Sequence, residues 1–540
     1  MDPVTLENAL EKKCKNHLWL VWLFFLTSTP GIFNSMHITS YVFLGGDPLF
    51  VCRIPELVKA NWTMEQIIEI SSPGLKKQSC VKYNWNYTYL SEMGFDQARH
   101  YCNQTKKPEV IECNGYIFDE ESEGQTIVSQ WDLVCDNLPL RSTAQVAVAV
   151  GKFFGAFIFG LFADRFGRKK IFTFCCLLYM VAGPAGALAN DYVLFIILRI
   201  LVGVAGSGVY EAGYTILSEL TVKHYRAYLG CLYNVSYSIG LIFLPLAAYF
   251  TNNWQQLQLA ISIPTIVLLL HCWYLPESPR WLITRGKLDK ASVIIGSKCC
   301  IDSEGNVDQP KPVHENQNHP CYKRAIIFLK NYFMLFSTFE LTKRILICYF
   351  GWFVGNLYYY VIALNGTNFT VNEYLYVGLN GICEIPGYTI LPLVMLTYYG
   401  RRSSGIALFT VSGIAVLAIM FIPQGWPIMT MAMIGRLTVS AVFSVIILQT
   451  SELFPTEHRN TAVGSSLTVA QFGTIAAPYI VDILGKKIWW IPTTLCGILS
   501  LLCAFVLFFV PETRDTPMLD TLSEMNQEKK SASNDTELAS

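Results

Sequence analysis

Gly160-Leu161-Phe162-Ala163-Asp164-Arg165-Phe166-Gly167-Arg168-Lys169 closes one apolar segment and opens the next, and a shorter echo, Gly400-Arg401-Arg402, stands between two later ones. Other marks recur with the same spacing. Glu452 and Arg459 follow Glu219 and Arg226 by the interval that separates Gly400 from Gly167. Pro276-Glu277-Ser278 returns, slightly out of step, as Pro511-Glu512-Thr513. Polar signposts at matching places in two apolar stretches indicate a duplicated membrane unit. Parallel halves related by an axis along the membrane normal are a transporter architecture, with the binding site between them near the midplane.

Composition agrees. Of 540 residues 52% are hydrophobic and 15% charged, where a soluble chain carries about 25% charge. The formal net charge of zero leaves no electrostatic footprint for nucleic acid. Apolar stretches near the length needed to cross a bilayer, roughly 20 residues, fall at 18–45, 143–163, 170–189, 193–217, 229–250, 256–275, 344–364, 374–398, 405–423, 428–450, 460–482 and 488–510. The expected fold is an all-α membrane protein of twelve transmembrane helices in two pseudo-symmetric six-helix bundles, at 18–285 and 343–513. Residues 1–17 precede the first span, 286–342 form a polar linker expected to carry amphipathic surface helices, and 514–540 form a Ser/Glu/Lys/Asp-rich tail expected to be disordered. The first span is long and lacks a small-residue cleavage site, so it reads as an anchored helix and not a signal peptide.

Orientation follows from the basic residues. Arg165, Arg168, Lys169, Lys170, Lys223, Arg226, Arg280, Arg285, Lys287, Lys290, Arg401, Arg402 and Arg459 all fall on one side, which the positive-inside rule makes cytoplasmic, together with both termini. The polar loop 47–141 then lies outside. It carries Cys52, Cys80, Cys102, Cys113 and Cys135, and glycosylation sequons at Asn61, Asn86 and Asn103. Disulfides are expected in that compartment; an odd number of thiols leaves one over, and spacing does not give the connectivity. Asn365 and Asn368 begin further sequons close to the seventh span, and Asn234 and Asn534 match by chance.

The stretch from Gly160 to Lys169 resembles the GxxxDRxGRR signature of the major facilitator superfamily. Within it the chain resembles solute carrier family 22, through Gln130-Trp131-Asp132-Leu133-Val134-Cys135, Leu257-Gln258-Leu259-Ala260, Pro276-Glu277-Ser278-Pro279-Arg280-Trp281-Leu282 and Glu452-Leu453-Phe454-Pro455-Thr456. The resemblance covers the whole chain apart from the tail; the loop has five cysteines where many relatives have six. It implies a plasma-membrane carrier that moves small organic cations, zwitterions such as carnitine, or organic anions by alternating access.

Candidate residues divide into gates and cavity. Asp164, Arg165 and Arg168, with Arg401 in the second half, are expected to pair across helices when the cytoplasmic side closes and to part when it opens; Glu219 with Arg226 and Glu452 with Arg459 form a second set. The plainer reading is that these charges only mark topology. Arg199 and Arg436, within the fourth and tenth spans, suggest helix packing. An ionisable residue at membrane depth is costly and marks a functional position by default. Glu384 is the foremost: a carboxylate there attracts an organic cation, and the resemblance places a glutamate at this position in the cation and carnitine branches. A structural pairing with a basic neighbour is its other reading. Lys152 either binds a substrate carboxylate or pairs with Glu211 to offset the burial of both. Trp352 and Tyr359 lie two turns apart on one helical face; with Tyr210 they match, by resemblance, aromatics that line the cation carriers' cavity, where cation–π attraction contributes ~0.5–2 kcal/mol. Gln471 stands where the resemblance puts aspartate in dedicated cation carriers and arginine in carnitine and anion carriers, and Asp482 lies too near the outer end to substitute.

Rival classes find little support. The sequence has no GxxxxGK[ST] loop for an ATP-driven pump and no HExxH among its eight histidines; His37 reads as a packed polar group or cavity residue. No metal, cofactor or nucleic-acid partner and no enzyme activity is expected. The partners are a small organic cation or zwitterion and the lipid bilayer, with a coupled Na+ or H+ and the oligomeric state left open. The alternatives are an organic anion carrier built on Lys152, and a receptor or scaffold that does not transport.

Overall fold

The computed structural model describes residues 3–75, 78–119, 124–295, 332–369 and 371–514. Eleven segments among them are long and apolar enough to cross a membrane, and the shorter apolar helix Ile491–Leu507 completes the second six. The membrane helices are α1 His17–Thr39, α2 Leu138–Phe166, α3 Arg168–Ala187, α4 Tyr192–Leu220, α5 Lys223–Tyr249 and α6 Trp254–Tyr274 in the N half. In the C half they are α7 Phe339–Leu364, α8 Glu373–Tyr398, α9 Arg401–Ala418, α10 Trp426–Leu453, α11 Thr456–Tyr479 and α12 Ile491–Leu507. Prolines interrupt the regular winding: α6 tightens into a 3-10 stretch at Ile263–Val267, which contains Pro264, and α8 re-initiates after Thr389, just beyond Pro386. A proline removes one backbone hydrogen bond and clashes with the preceding turn. Of the expected linker helices, Leu288–Ile295 packs Ala291 and Ile295 against Trp281; 296–331 and the tail from 515 lie outside the described residues.

The loop between α1 and α2 folds into a small cap. Strand β1 Phe50–Cys52 pairs antiparallel with β4 Tyr116–Phe118, and β2 Val81–Tyr83 with β3 Val110–Glu112. Disulfides join Cys52 to Cys113 and Cys80 to Cys135, so Cys102 is the thiol left over, buried in the cap's core beside Leu57, Ile67 and Leu90. The cap is seated on the N half. Gln125 O accepts from Trp254 N at 2.9 Å, Gln130 Oε1 accepts from Trp254 Nε1 at 2.7 Å and Gln255 Nε2 at 2.8 Å, and Trp131 Nε1 donates to Asn190 O at 3.3 Å.

Within the N half α2 and α4 touch backbone to backbone. A Cβ on Gly203 would stand 2.2 Å from Val148 O, and one on Gly151 2.1 Å from Ile200 O. Between the halves, α5 lies along α8 and α2 along α11. Apolar packing then divides along the membrane normal. At the cap end both halves share one cluster, which includes Met36, Leu44, Leu244, Leu357, Tyr376 and Val481. At the linker end each half closes its own core, Leu26, Phe172, Ile216 and Leu275 in one and Ile345, Phe409, Leu453 and Leu507 in the other. The halves therefore join at the cap end, and among the described residues no apolar cluster bridges them at the other.

Candidate functional site

The predicted cavity residues gather where α2, α4 and α5 face α7, α8 and α10. Glu384 is fully buried, and its Oε1 forms an ion pair with Arg436 Nη2, while Oε2 accepts from Ser238 Oγ at 3.0 Å. Arg436 also donates to Tyr359 O at 2.8 Å and lies over the Tyr359 ring, 3.6 Å from its centroid. Two expectations change here. Glu384 does not stand as a free negative charge, and one face of Tyr359 already holds a cation, the protein's own guanidinium. Arg436 was expected only to pack helices; placed one helix away from Glu384, it neutralises a carboxylate that would otherwise be too costly to bury. Its partner lies on another helix, so local sequence carried no sign of the pair.

Trp352 is buried, donates from Nε1 to Thr450 Oγ1 at 3.1 Å, and tilts against Phe443, which also meets Tyr359 edge-on. Phe443 extends the aromatic wall, and nothing in its sequence surroundings distinguished it from packing residues. Tyr210 is half-buried, with its hydroxyl donating to Asn234 Oδ1 at 2.6 Å. Tyr388 is buried one turn beyond Glu384 on α8. Gln471 Oε1 is buried without a hydrogen-bond partner among the described residues.

Lys152 and Glu211 are both half-buried on the tightly packed α2 and α4. The expected ion pair does not form within 4 Å. Lys152 instead reaches across the gap to the C half, donating from Nζ to Tyr360 Oη at 3.3 Å with the ring centroid at 5.9 Å. Glu211 accepts from Ser207 Oγ at 3.2 Å. His37 is packed, not exposed to the gap: its ring lies among Gln258, Ser262 and Tyr179. Arg199 has the structural role expected of it, tying Ala144 O and Gln145 of α2 to His37 O and Ser40 at the end of α1. A separate cavity of about 340 Å³ opens at the cap end, lined by Asp47, Gln125, Trp254 and Glu373 and by none of the predicted site residues.

Matched helical halves with a buried ion pair in one and half-buried charges in the other are a carrier's architecture, and the similarities to known proteins agree. The family described as sugar (and other) transporter matches residues 119–526. The organic cation transporter protein of Drosophila melanogaster is 32% identical over 515 residues, spanning 93% of this chain and 91% of the fly protein. Solute carrier family 22 member 3 of Mus musculus is 30% identical over 540 residues, spanning 97% and 96%. The chain belongs to solute carrier family 22. The xylose transporter XylE from E. coli in its inward open conformation superposes with a TM-score of 0.58, 14% identity and coverage of 92% of this chain and 98% of that one, a likeness that concerns the fold alone.

In this family 22 chain the linker-end charges form two copies of one device. Arg168 pairs with Asp164 at 2.9 Å and with Glu219 at 3.2 Å; Arg401 forks onto Glu452 at 3.1 and 3.2 Å. The two expected sets are therefore one, because the end of α4 lies beside the α2–α3 junction, as the end of α10 lies beside α9. Arg226 donates to Thr221 O at 3.1 Å, and Arg165 O accepts from Arg285 at 3.1 Å. The repeated Pro-Glu-Ser/Thr marks acquire a physical meaning. Glu277 Oε1 accepts from the backbone N–H of Arg168 at 2.9 Å and Lys169 at 3.1 Å, and Glu512 accepts from those of Arg401 at 2.6 Å and Arg402 at 3.1 Å. Each carboxylate satisfies the open amides at a helix N-terminus and complements its dipole. Burial alone would raise the Glu512 carboxyl, but the amides hold it below its ordinary value.

At the cap end a network crosses between the halves. Asp482, on a π-helical stretch Ile480–Leu484 after α11, accepts from Tyr41 Oη and, at 2.7 Å, from Ser142 Oγ. Asp47 bridges Arg141 at 3.4 Å and Lys486 at 2.6 Å. Burial pushes the Asp47 carboxyl up, yet Arg141 and Lys486 together hold it below its ordinary value. The sequence carries no local sign of this latch, and the position of Asp482 near the outer end, which excludes it as a substrate group, is what lets it tie the halves.

Proposed function

We propose that this chain is a polyspecific plasma-membrane carrier of small organic cations or zwitterions, of the carnitine-like quaternary amine class, working by alternating access. The observation that supports it most directly is the division of packing, with the halves latched at the cap end and separately cored at the linker end, the arrangement of one of two access states. The basic linker end is the cytoplasmic side on the charge rule, which puts both termini inside and the cap, with Asn61, Asn86 and Asn103 exposed on it, outside. The relatives' names supply the cation class. Trp352, Tyr210 and Gln471, whose acceptor is unmet, together with Lys152, contact substrate in this reading; Glu384 and Tyr359 hold Arg436 and frame the wall. The clamps of Arg168 and Arg401 each lie within one half and are made while the linker end is separately cored, against the expectation that they part when that side opens; in this reading they brace each half.

The test is uptake of labelled tetraethylammonium, carnitine and an aromatic carboxylate by cells expressing the full chain, with and without Na+. Saturable uptake of either of the first two is expected. Uptake of the carboxylate alone would favour an organic anion carrier, a reading that has one specific observation behind it: the Lys152 ammonium has only a phenol as partner. No uptake of any of the three with the protein at the surface would leave a narrower substrate, or a receptor or scaffold.

A further inference from the structure

We propose that Glu211 and Lys152 form a two-pole substrate site, Glu211 taking the ammonium and Lys152 the carboxylate of one zwitterionic amine. The inference rests on the carrier reading above and narrows its substrate class.

Few charges at membrane depth are still available. Of the carboxylates at membrane depth, Glu384 is consumed by Arg436 and Ser238 and is fully buried. Asp482 belongs to the cap-end latch. Glu211 has only a neutral hydroxyl from Ser207. Its Oε2 accepts no hydrogen bond from the described residues, and the side chain is half-buried. Of the cations, Arg199 is wrapped by carbonyls and side chains of α1 and α2, and Arg436 is paired. Lys152 has only the Tyr360 phenol. Two opposite charges at membrane depth, each with a neutral partner, remain costly.

They could offset that cost by pairing, being electrostatic neighbours on adjoining helices. They do not: Lys152 points across to α7. α2 and α4 are in backbone contact at Gly151 and Gly203, so the two charges stay unpaired although their helices touch. A lone organic cation would satisfy Glu211 and be repelled by Lys152; a lone anion would meet the converse. A molecule with both poles answers both charges. Its carboxylate would share Lys152 and the Tyr360 hydroxyl, bringing the two halves onto one ligand. Its ammonium would sit at Glu211, the residue after Tyr210 on α4, and aromatic faces suit alkylated ammonium groups.

The experiment compares saturable uptake of labelled carnitine and choline, one with and one without the carboxylate, normalised to surface protein by biotinylation. It uses the full chain, Glu211→Gln, Lys152→Gln and the double variant. Expected results are a lower KM for carnitine than for choline in the wild type, and KM raised about tenfold or more for both in Glu211→Gln. Lys152→Gln is expected to raise KM about tenfold for carnitine and to lower it for choline, whose charge Lys152 repels. Lys152→Gln acting equally on both, Glu211→Gln leaving both KM values unchanged, or carnitine uptake restored by the double variant would overturn the inference, the last because it would reduce the two charges to a structural couple. Wild-type cells that carry tetraethylammonium but neither of these compounds, with the protein at the surface, would overturn the inference and leave the carrier reading standing; cells that carry none of the three, nor an aromatic carboxylate, would count against the carrier reading itself. Should a variant be retained inside the cell, Glu211→Asp keeps the charge while shortening its reach; it is expected to raise both KM values by a smaller factor, and unchanged values would count against the proposal.

Discussion

At the scale of single residues, Arg436 reorganises what a reading of Glu384 alone suggests. A buried carboxylate with its own guanidinium is a couple whose members cannot be removed singly at low cost. Losing one partner leaves an uncompensated buried charge, which costs about 3–5 kcal/mol. Glu384→Gln is therefore expected to lower the thermal midpoint of the purified protein and its surface level. Adding Arg436→Gln should recover a large part of both, since contacting residues couple non-additively. Thermal shift and surface biotinylation of the two variants check this; equal loss in the single and double variants would mean that the pair contributes little. Glu384, Trp352, Tyr359 and Tyr210 were legible as a cluster because ionisable and aromatic residues stand out in apolar helices. Arg436, Phe443 and Ser238 were not, because which helix faces which is fixed by packing over the whole bundle and leaves no mark in local periodicity.

At the scale of the helix, the twelve spans could be read because each must satisfy its backbone internally and present an apolar surface to lipid, which appears as uninterrupted apolar runs. The breaks inside α6 and α8 were only implied by Pro264 and Pro386, and the π-helical turn that aims Asp482 had no local signal. Close helix contacts are the other silent feature. The α2–α4 crossing tolerates no methyl at Gly203, where a new Cβ would meet Val148 O at 2.2 Å, whereas one at Gly160 meets nothing within 4 Å. Backbone cannot yield as a side chain can, so Gly203→Ala is expected to depress the thermal midpoint and uptake together. Gly160→Ala should be neutral or stabilise slightly, by up to about 1 kcal/mol, from helix propensity. A thermal ramp on the pair decides the point, and equal midpoints would mean that the two helices have freedom to separate.

At the scale of the molecule, the latch of Asp47, Arg141, Tyr41, Ser142, Asp482 and Lys486 holds the cap end of the two halves together. Asp482→Asn and Lys486→Ala are expected to shift the population toward an opening at that end. Spin labels at 190 and 424, on the cap-end turns of the two halves, should then report a longer mean distance; an unchanged distribution would show that the shared apolar cluster alone keeps the end closed. The pH dependence has a definite sign. A carboxylate held below its ordinary value contributes stability that is fully present above the unfolded value, about 3.9, and is lost only as pH falls through the lower folded one. The distance measured at pH 5.5 should therefore match that at pH 7.4. The seating of the cap on Asn190, Trp254 and Gln255 makes it a passenger of the N half. An antibody raised against the cap would then count molecules without regard to their state, whereas one whose epitope runs from the cap to Lys486 would recognise a single posture and arrest the cycle in it.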